Sequence, residues 1–175
     1  MDQDWRMASR LRVASFTDDS APAVDSDGYI PAKVVWVPPK LREGPPPIYV
    51  RVSGIAGGEI ELRLDRGSGF LMVLVVIALG PLSPEPPVPY SDLPVEHAGG
   101  LIIDTTDFGD ILGVVDMELL LRPHRIRDGI RIDVVGAEMS HVVRCGPLLT
   151  IALDDEGVLA SMSLGAPVAE HHFQI

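Results

Sequence analysis

The side chains with the most chemistry to offer are Cys145, in the run Val-Arg-Cys-Gly-Pro, and His141 four residues before it. A thiolate is a strong nucleophile, and the adjacent Arg144 would lower a thiol's pKa. On a regular strand, residues four apart lie on one side, so a Cys–His pair for nucleophilic catalysis is conceivable. A lone cysteine more often serves as a small buried thiol, and that is the reading favoured here. Asp104, Asp107 and Asp110 form a second concentration, in Asp-Thr-Thr-Asp-Phe-Gly-Asp. Two carboxylates in different surroundings can divide acid and base work. Asp and Gly also build turns, and a turn is the expectation.

Other fragments carry less. Asp25-Ser26-Asp27-Gly28 looks like part of a calcium loop, but the positions that should supply further acids hold Ala23 and Val34. The histidines His97, His124, His141, His171 and His172 show no metal-binding spacing. The glycines of Ser53–Glu59 have no lysine after them to bind a phosphate, and no nucleophile elbow or dinucleotide fingerprint occurs. The expectation is no metal and no cofactor.

What remains is a set of large side chains near strands and loops. In the plain reading they are core. In the functional reading some of them line a cavity where an apolar ligand sits. Tyr49 is the candidate catalytic residue, because its hydroxyl could donate to a carbonyl as charge builds there. Trp5, Trp36, Met72, Tyr90, Met117 and Met139 are the candidate substrate-binding residues.

These side chains need elements to hold them. Glu59–Asp65 alternates strictly, with Ile60, Leu62 and Leu64 on one face, which marks a half-buried strand. Arg66–Gly69 is a Gly-bearing turn, and an uncharged run follows from Phe70 to Gly80. That run is too short to span a bilayer as a helix, which takes about 20 residues. Its β-branched Val73, Val75, Val76 and Ile77 favour a strand. Residues 149–165 repeat the plan: strand, charged turn ending in Gly, strand. If Leu71 matches Leu159, then Val73 and Val75 fall where the second copy has Ser161 and Ser163. A strand apolar on both faces must be covered on both, and a homodimer is one way to cover it.

Residues 1–17 suit a short amphipathic helix with Trp5, Ala8 and Leu11 on one face. Residues 38–47 and 81–94 are Pro-rich, stiff connections. Residues 114–122 fit either a strand or a helix, and a strand is favoured. The expected fold is one mainly β domain over residues 1–175, an antiparallel barrel or sandwich of about ten strands. Its parts are an N-terminal helix and loop (1–32), a first β unit (33–80), a Pro-rich connection (81–99) and a second, similar β unit (100–175).

Composition bounds the partners. The chain has 175 residues, 46% of them hydrophobic, and a formal net charge of −11. That charge argues against nucleic acid and against anionic membrane surfaces, both of which recruit basic patches. One cysteine excludes an internal disulfide and fits a cytoplasmic location. The N-terminal sequence lacks the apolar core of a secretory signal.

The size, the paired hairpins Ile60–Val76 and Leu149–Leu164, the aromatic and methionine content and the missing cofactor motifs resemble small stand-alone cyclases of bacterial, actinobacterial, polyketide pathways. The resemblance implies a cofactor-independent, pericyclase-type enzyme that holds an apolar polyketide-like substrate in a β-lined cavity. Such an enzyme works by presenting reacting ends in a near-attack shape and needs no nucleophile. The same hairpins also look like those of small bacterial immunity-type proteins. That second resemblance implies an acidic inhibitor that binds a partner protein and catalyses nothing. A large apolar cavity would favour the first, and a filled core the second.

Overall fold

The computed structural model describes residues 10–18, 22–24, 31–37, 43–108 and 113–165. The strands, in chain order, are β1 (Val13–Thr17), β2 (Ala23–Val24), β3 (Ala32–Val35), β4 (Ile48–Gly54), β5 (Glu59–Leu64), β6 (Leu71–Ala78) and β7 (Val95–Ala98). They continue as β8 (Gly100–Ile103), β9 (Val114–Leu119), β10 (Leu121–Ile126), β11 (Gly129–Val134), β12 (His141–Cys145), β13 (Leu149–Leu153) and β14 (Leu159–Gly165). A 3-10 turn, Thr106–Phe108, interrupts them. Among the described residues no helix is long and apolar enough to cross a membrane.

Two six-stranded sheets run the same course. The first has the order β2-β3-β6-β5-β4-β9 and the second β10-β11-β14-β13-β12-β7. In each, a hairpin is followed by a three-strand meander whose last strand pairs back onto the hairpin. Each sheet is completed by a strand that lies elsewhere in the chain: β9 lies parallel on β4, and β7 parallel on β12. The two sheets therefore share one order of strands. The register agrees in detail. Leu64 pairs with Leu71 and Leu153 with Leu159, each beside a bulge. Val73 faces Arg63 where Ser161 faces Ala152.

The small third sheet, β1 with β8, joins the halves. Ile103 of β8 donates to the Gly69 carbonyl of the first hairpin turn at 2.9 Å. Val13 of β1 donates to the Gly157 carbonyl of the second at 2.9 Å. Each turn is set by an aspartate. Asp65 accepts the amides of Gly67 and Ser68 at 3.1 and 2.8 Å, and Asp154 those of Glu156 and Val158, both at 2.8 Å. These are side-chain-closed turns of the kind Asp favours.

Alternation then sorts the faces. Val50, Val52, Ile60, Leu62, Leu74 and Val76 of the first sheet meet Val143, Leu149, Ile151, Met162 and Leu164 of the second in one core. On the outer face of β6, Val73 and Val75 are also buried, in a smaller cluster with Met72, against Val35, Val37 and Phe70. Burial of Val73 and Val75 is complete within one chain, at 3% and 4% exposure, so the doubly apolar strand does not require a second copy for cover.

Three expectations need correction. No sheet closes into a barrel, since each ladder ends in two edge strands. The strands outnumber the ten expected, because short ones such as β2 and β7 carry little hydrophobic signal. The pairing is mainly antiparallel, and the edge strands β7 and β9 are parallel to their neighbours. The helix expected over 1–17 is not formed in its described part: Val13–Thr17 is a strand, drawn into pairing with β8. Its remaining residues 1–9, Trp5 among them, lie outside the described residues. Residues 114–119 are the favoured strand.

The turn glycines give a graded prediction. Gly69 has φ +75°, and an added methyl would collide with the Ile103 carbonyl oxygen, whereas at Gly157 (φ +77°) it would meet the Val13 oxygen at 3.2 Å. Positive φ costs a non-glycine residue about 1 kcal/mol. Gly157→Ala should therefore lose about that much in urea denaturation, and Gly69→Ala clearly more, about 2–3 kcal/mol. Equal losses would show that β8 does not press on the first turn.

Candidate functional site

Cys145 sits on the inward face of β12, fully buried. Burial raises its thiol from 9.0 to about 12. His141 is at the other end of the strand, about 13 Å away at four strand residues, where its Nδ1 lies 3.1 Å from the Ser140 hydroxyl. The pair is not assembled, and the cysteine is a core residue. Asp104 accepts the Thr106 hydroxyl at 2.6 Å and the Thr106 amide at 3.0 Å. Those two hydrogen bonds hold its carboxyl below the usual range. It caps the 3-10 turn, as turn chemistry predicts, and Asp107 is exposed beside it. Asp110 and the 25–28 segment lie outside the described residues. Ser53–Glu59 forms the β4–β5 turn, with Gly54 donating to Gly58 at 2.9 Å.

The candidate cavity residues occupy separate places. Met117 points from β9 into the core. Trp36 is buried after β3, its indole N–H donating to the Gly99 carbonyl at 2.9 Å. Tyr49 is half-buried on the outer face of β4, with the Arg63 guanidinium 5.5 Å from its ring centre. Met72 belongs to the small outer cluster of β6. Among the described candidates, only Tyr90 and Met139 come together, and they meet on Arg131.

That meeting is the densest polar cluster among the described residues. On the outer face of the second sheet, His124 lies opposite Arg131 across the β10–β11 ladder, and Asp133 and Arg131 lie opposite Ser161 and Ser163 of β14. Arg131 donates from Nε to Asp133 at 2.6 Å and to Ser161 at 3.1 Å, and from Nη1 to the Val88 carbonyl. Its Nη2 reaches the Met139 sulfur at 3.4 Å. The guanidinium also stacks 4.1 Å from the Tyr90 ring centre. Ser161 donates to Asp133 and lies 2.6 Å from the Tyr90 hydroxyl, which in turn accepts from Ser163 at 3.2 Å. His124 donates from Nδ1 to the Glu85 carbonyl at 3.0 Å, and its Nε2 lies 3.1 Å from Asp133 without hydrogen-bond alignment.

Glu85, Val88 and Tyr90 all belong to the Pro-rich segment 81–94. The cluster straps this segment over the second sheet. A serine, a histidine and an aspartate are present, but Ser161 gives its proton to Asp133 and not to His124, and it is fully buried. Nucleophilic catalysis needs a base on the nucleophile and access for a substrate. The arrangement satisfies buried polar groups and fixes the strap. The alternating Arg131, Asp133, Ser161 and Ser163 were legible as one face of two strands. Nothing in the pattern distinguished a face under a strap from a face in water.

The core itself is filled. Two cavities between the sheets, among the described residues, hold about 20 and 10 Å³. The first is bounded by Leu62, Leu71, Leu101 and Leu149, and the second by Ile60, Leu121 and Ile132. A water needs roughly 10–15 Å³ and polar partners, and these aliphatic linings offer none. Among the described residues no group of three His, Cys, Asp or Glu side chains is placed to hold a metal.

Two measurements check these assignments. Arg131→Ala leaves Asp133 without its main partner and should cost about 3–5 kcal/mol in urea denaturation, while the double change Arg131→Met with Asp133→Leu should cost distinctly less. For Cys145 the folded state keeps a proton that the unfolded chain gives up, so its contribution is intact below pH 9.0 and is lost as pH rises toward about 12. A thiol reagent should label Cys145 only as fast as the chain unfolds; rapid labelling of the native protein would contradict its burial. No protein-family model matches the sequence, and no curated protein matches it.

Proposed function

We propose that this chain is a binding protein: an acidic, inhibitor-type module that holds a basic protein partner and performs no catalysis. The observation that carries the reading is the filled interior. A cyclase that folds an apolar polyketide needs a chamber of about 300 Å³ or more, and the two cavities between the sheets offer about 20 and 10 Å³. The dispersal of Trp36, Tyr49, Met72 and Met117 to separate faces and layers supports it. So does the formal charge of −11, which steers a basic partner and repels nucleic acid.

The test uses the proteins encoded by the flanking genes, purified separately. Titration calorimetry of the intact chain against each should find one basic protein that binds, with affinity falling as salt rises. If none binds, the binding reading is overturned; turnover of a polyene or polyketide intermediate by the chain would put the cyclase in its place.

A further inference from the structure

Among the described residues, strand β9 has no partner on one side of its backbone. Tyr49 donates to the Gly113 carbonyl at 2.8 Å, and Ile55 to the Leu119 carbonyl at 3.0 Å. Between these two bonds, Tyr49–Gly54 runs in parallel register with Val114–Leu119. A parallel ladder engages alternate residues of a strand. Gly113 and Leu119 fix the phase, so the odd-numbered residues of β9 bond to β4. The N–H and C=O groups of Val114, Asp116 and Glu118 therefore point outward. Among the described residues no strand pairs with that edge.

The side chains of the same residues are exposed. Val114 is 47% exposed and Leu120, just past the strand, 40%. Ile55, hydrogen-bonded to Leu119, is 69% exposed beside them. Along the edge the order is apolar, acid, acid, apolar. The neighbouring bases are directed elsewhere: Arg51, the register partner of Asp116, and Arg63 lie 3.9 and 2.8 Å from Glu61. Asp116 and Glu118 form no ion pair with any described residue.

We propose that the partner docks here by adding a strand: an extended segment pairs with the free edge of β9, placing Lys or Arg beside Asp116 and Glu118 and apolar side chains beside Val114 and Leu120. Main-chain hydrogen bonds supply affinity in this mode, and alternate side chains supply selectivity. The inference rests on the protein-binding reading and names its surface. A second copy of this chain is the wrong occupant, because antiparallel self-pairing brings Asp116 and Glu118 against their own carboxylates, and like charges directly opposite destabilise a pair. Acidic residues on an open edge thus block self-association and admit a basic strand.

A short capped peptide, Val-Thr-Lys-Thr-Lys-Thr-Val, which presents valine, lysine, lysine and valine on one face of an extended strand, serves as the probe, read by amide hydrogen exchange in NMR on the intact chain. Binding should slow exchange at Asp116 and Glu118 and leave Val115 and Met117, already bonded to β4, unchanged. Asp116→Pro removes an outward donor without touching the β4 ladder, since proline is tolerated on an edge with its N–H side to solvent. It should keep the amide spectrum outside β9 and bind the peptide at least about tenfold more weakly. The same peptide with glutamate in place of both lysines should not bind. Protection appearing elsewhere, or undiminished binding by Asp116→Pro, overturns the edge assignment. The flanking-gene partner separates the two levels. If it binds Asp116→Pro as tightly as the natural chain, the edge is wrong and the binding reading stands. If no basic partner binds the natural chain, the reading itself falls.

Discussion

Two sheets with aliphatic inner faces must cover each other, and that requirement organises the rest of this structure. Leu62, Leu64, Leu74 and Val76 from one side and Leu149, Ile151, Leu153 and Met162 from the other pack together, and two cavities between them hold about 20 and 10 Å³. Each fully buried side chain of this size contributes roughly 1.5–3 kcal/mol. Space between the sheets is therefore costly, because a void forfeits contacts on both sides. A core packed this closely leaves the outer faces and edges for other work.

The crossed connections follow from the same requirement. Each hairpin turn is pinned by a strand from the other half, β8 on Gly69 and β1 on Gly157, and each sheet ends in a parallel strand that lies elsewhere in the chain. Neither half closes its own sheet. The outer faces then diverge. The second sheet carries Arg131, Asp133 and the two serines, which hydrogen-bond the Pro-rich strap. The first carries Val73 and Val75 on β6 and the Glu61–Arg63 pair on β5. One course of strands thus supports a polar, strapped face and a mixed apolar and charged face.

Much of this was legible. The alternation of Glu59–Asp65 and the turn residues Asp65–Gly69 defined the first hairpin, and matching Leu71 to Leu159 gave the register that the bulges preserve. The short edges were not legible, because four residues such as Val95–Ala98 carry no period, and their parallel pairing is a long-range choice. The helix expected over 1–17 rested on Trp5, Ala8 and Leu11; in the described part, pairing of Val13–Thr17 with β8 and with the second turn makes a strand instead. Of the candidate site, Tyr90 and Met139 were placed near one another by Arg131, a residue whose part was invisible without the strap above it.

The filled interior is the central claim, and core methyl groups report on it most directly. Met117 and Met162 lie in the shared core, at 4% and 5% exposure. Their methyl resonances, followed by NMR while a linear apolar polyene is added to the native protein, should not move. A saturable shift of either signal, at a concentration that leaves the fold intact, would mean that the sheets open to admit a ligand, and would contradict this account.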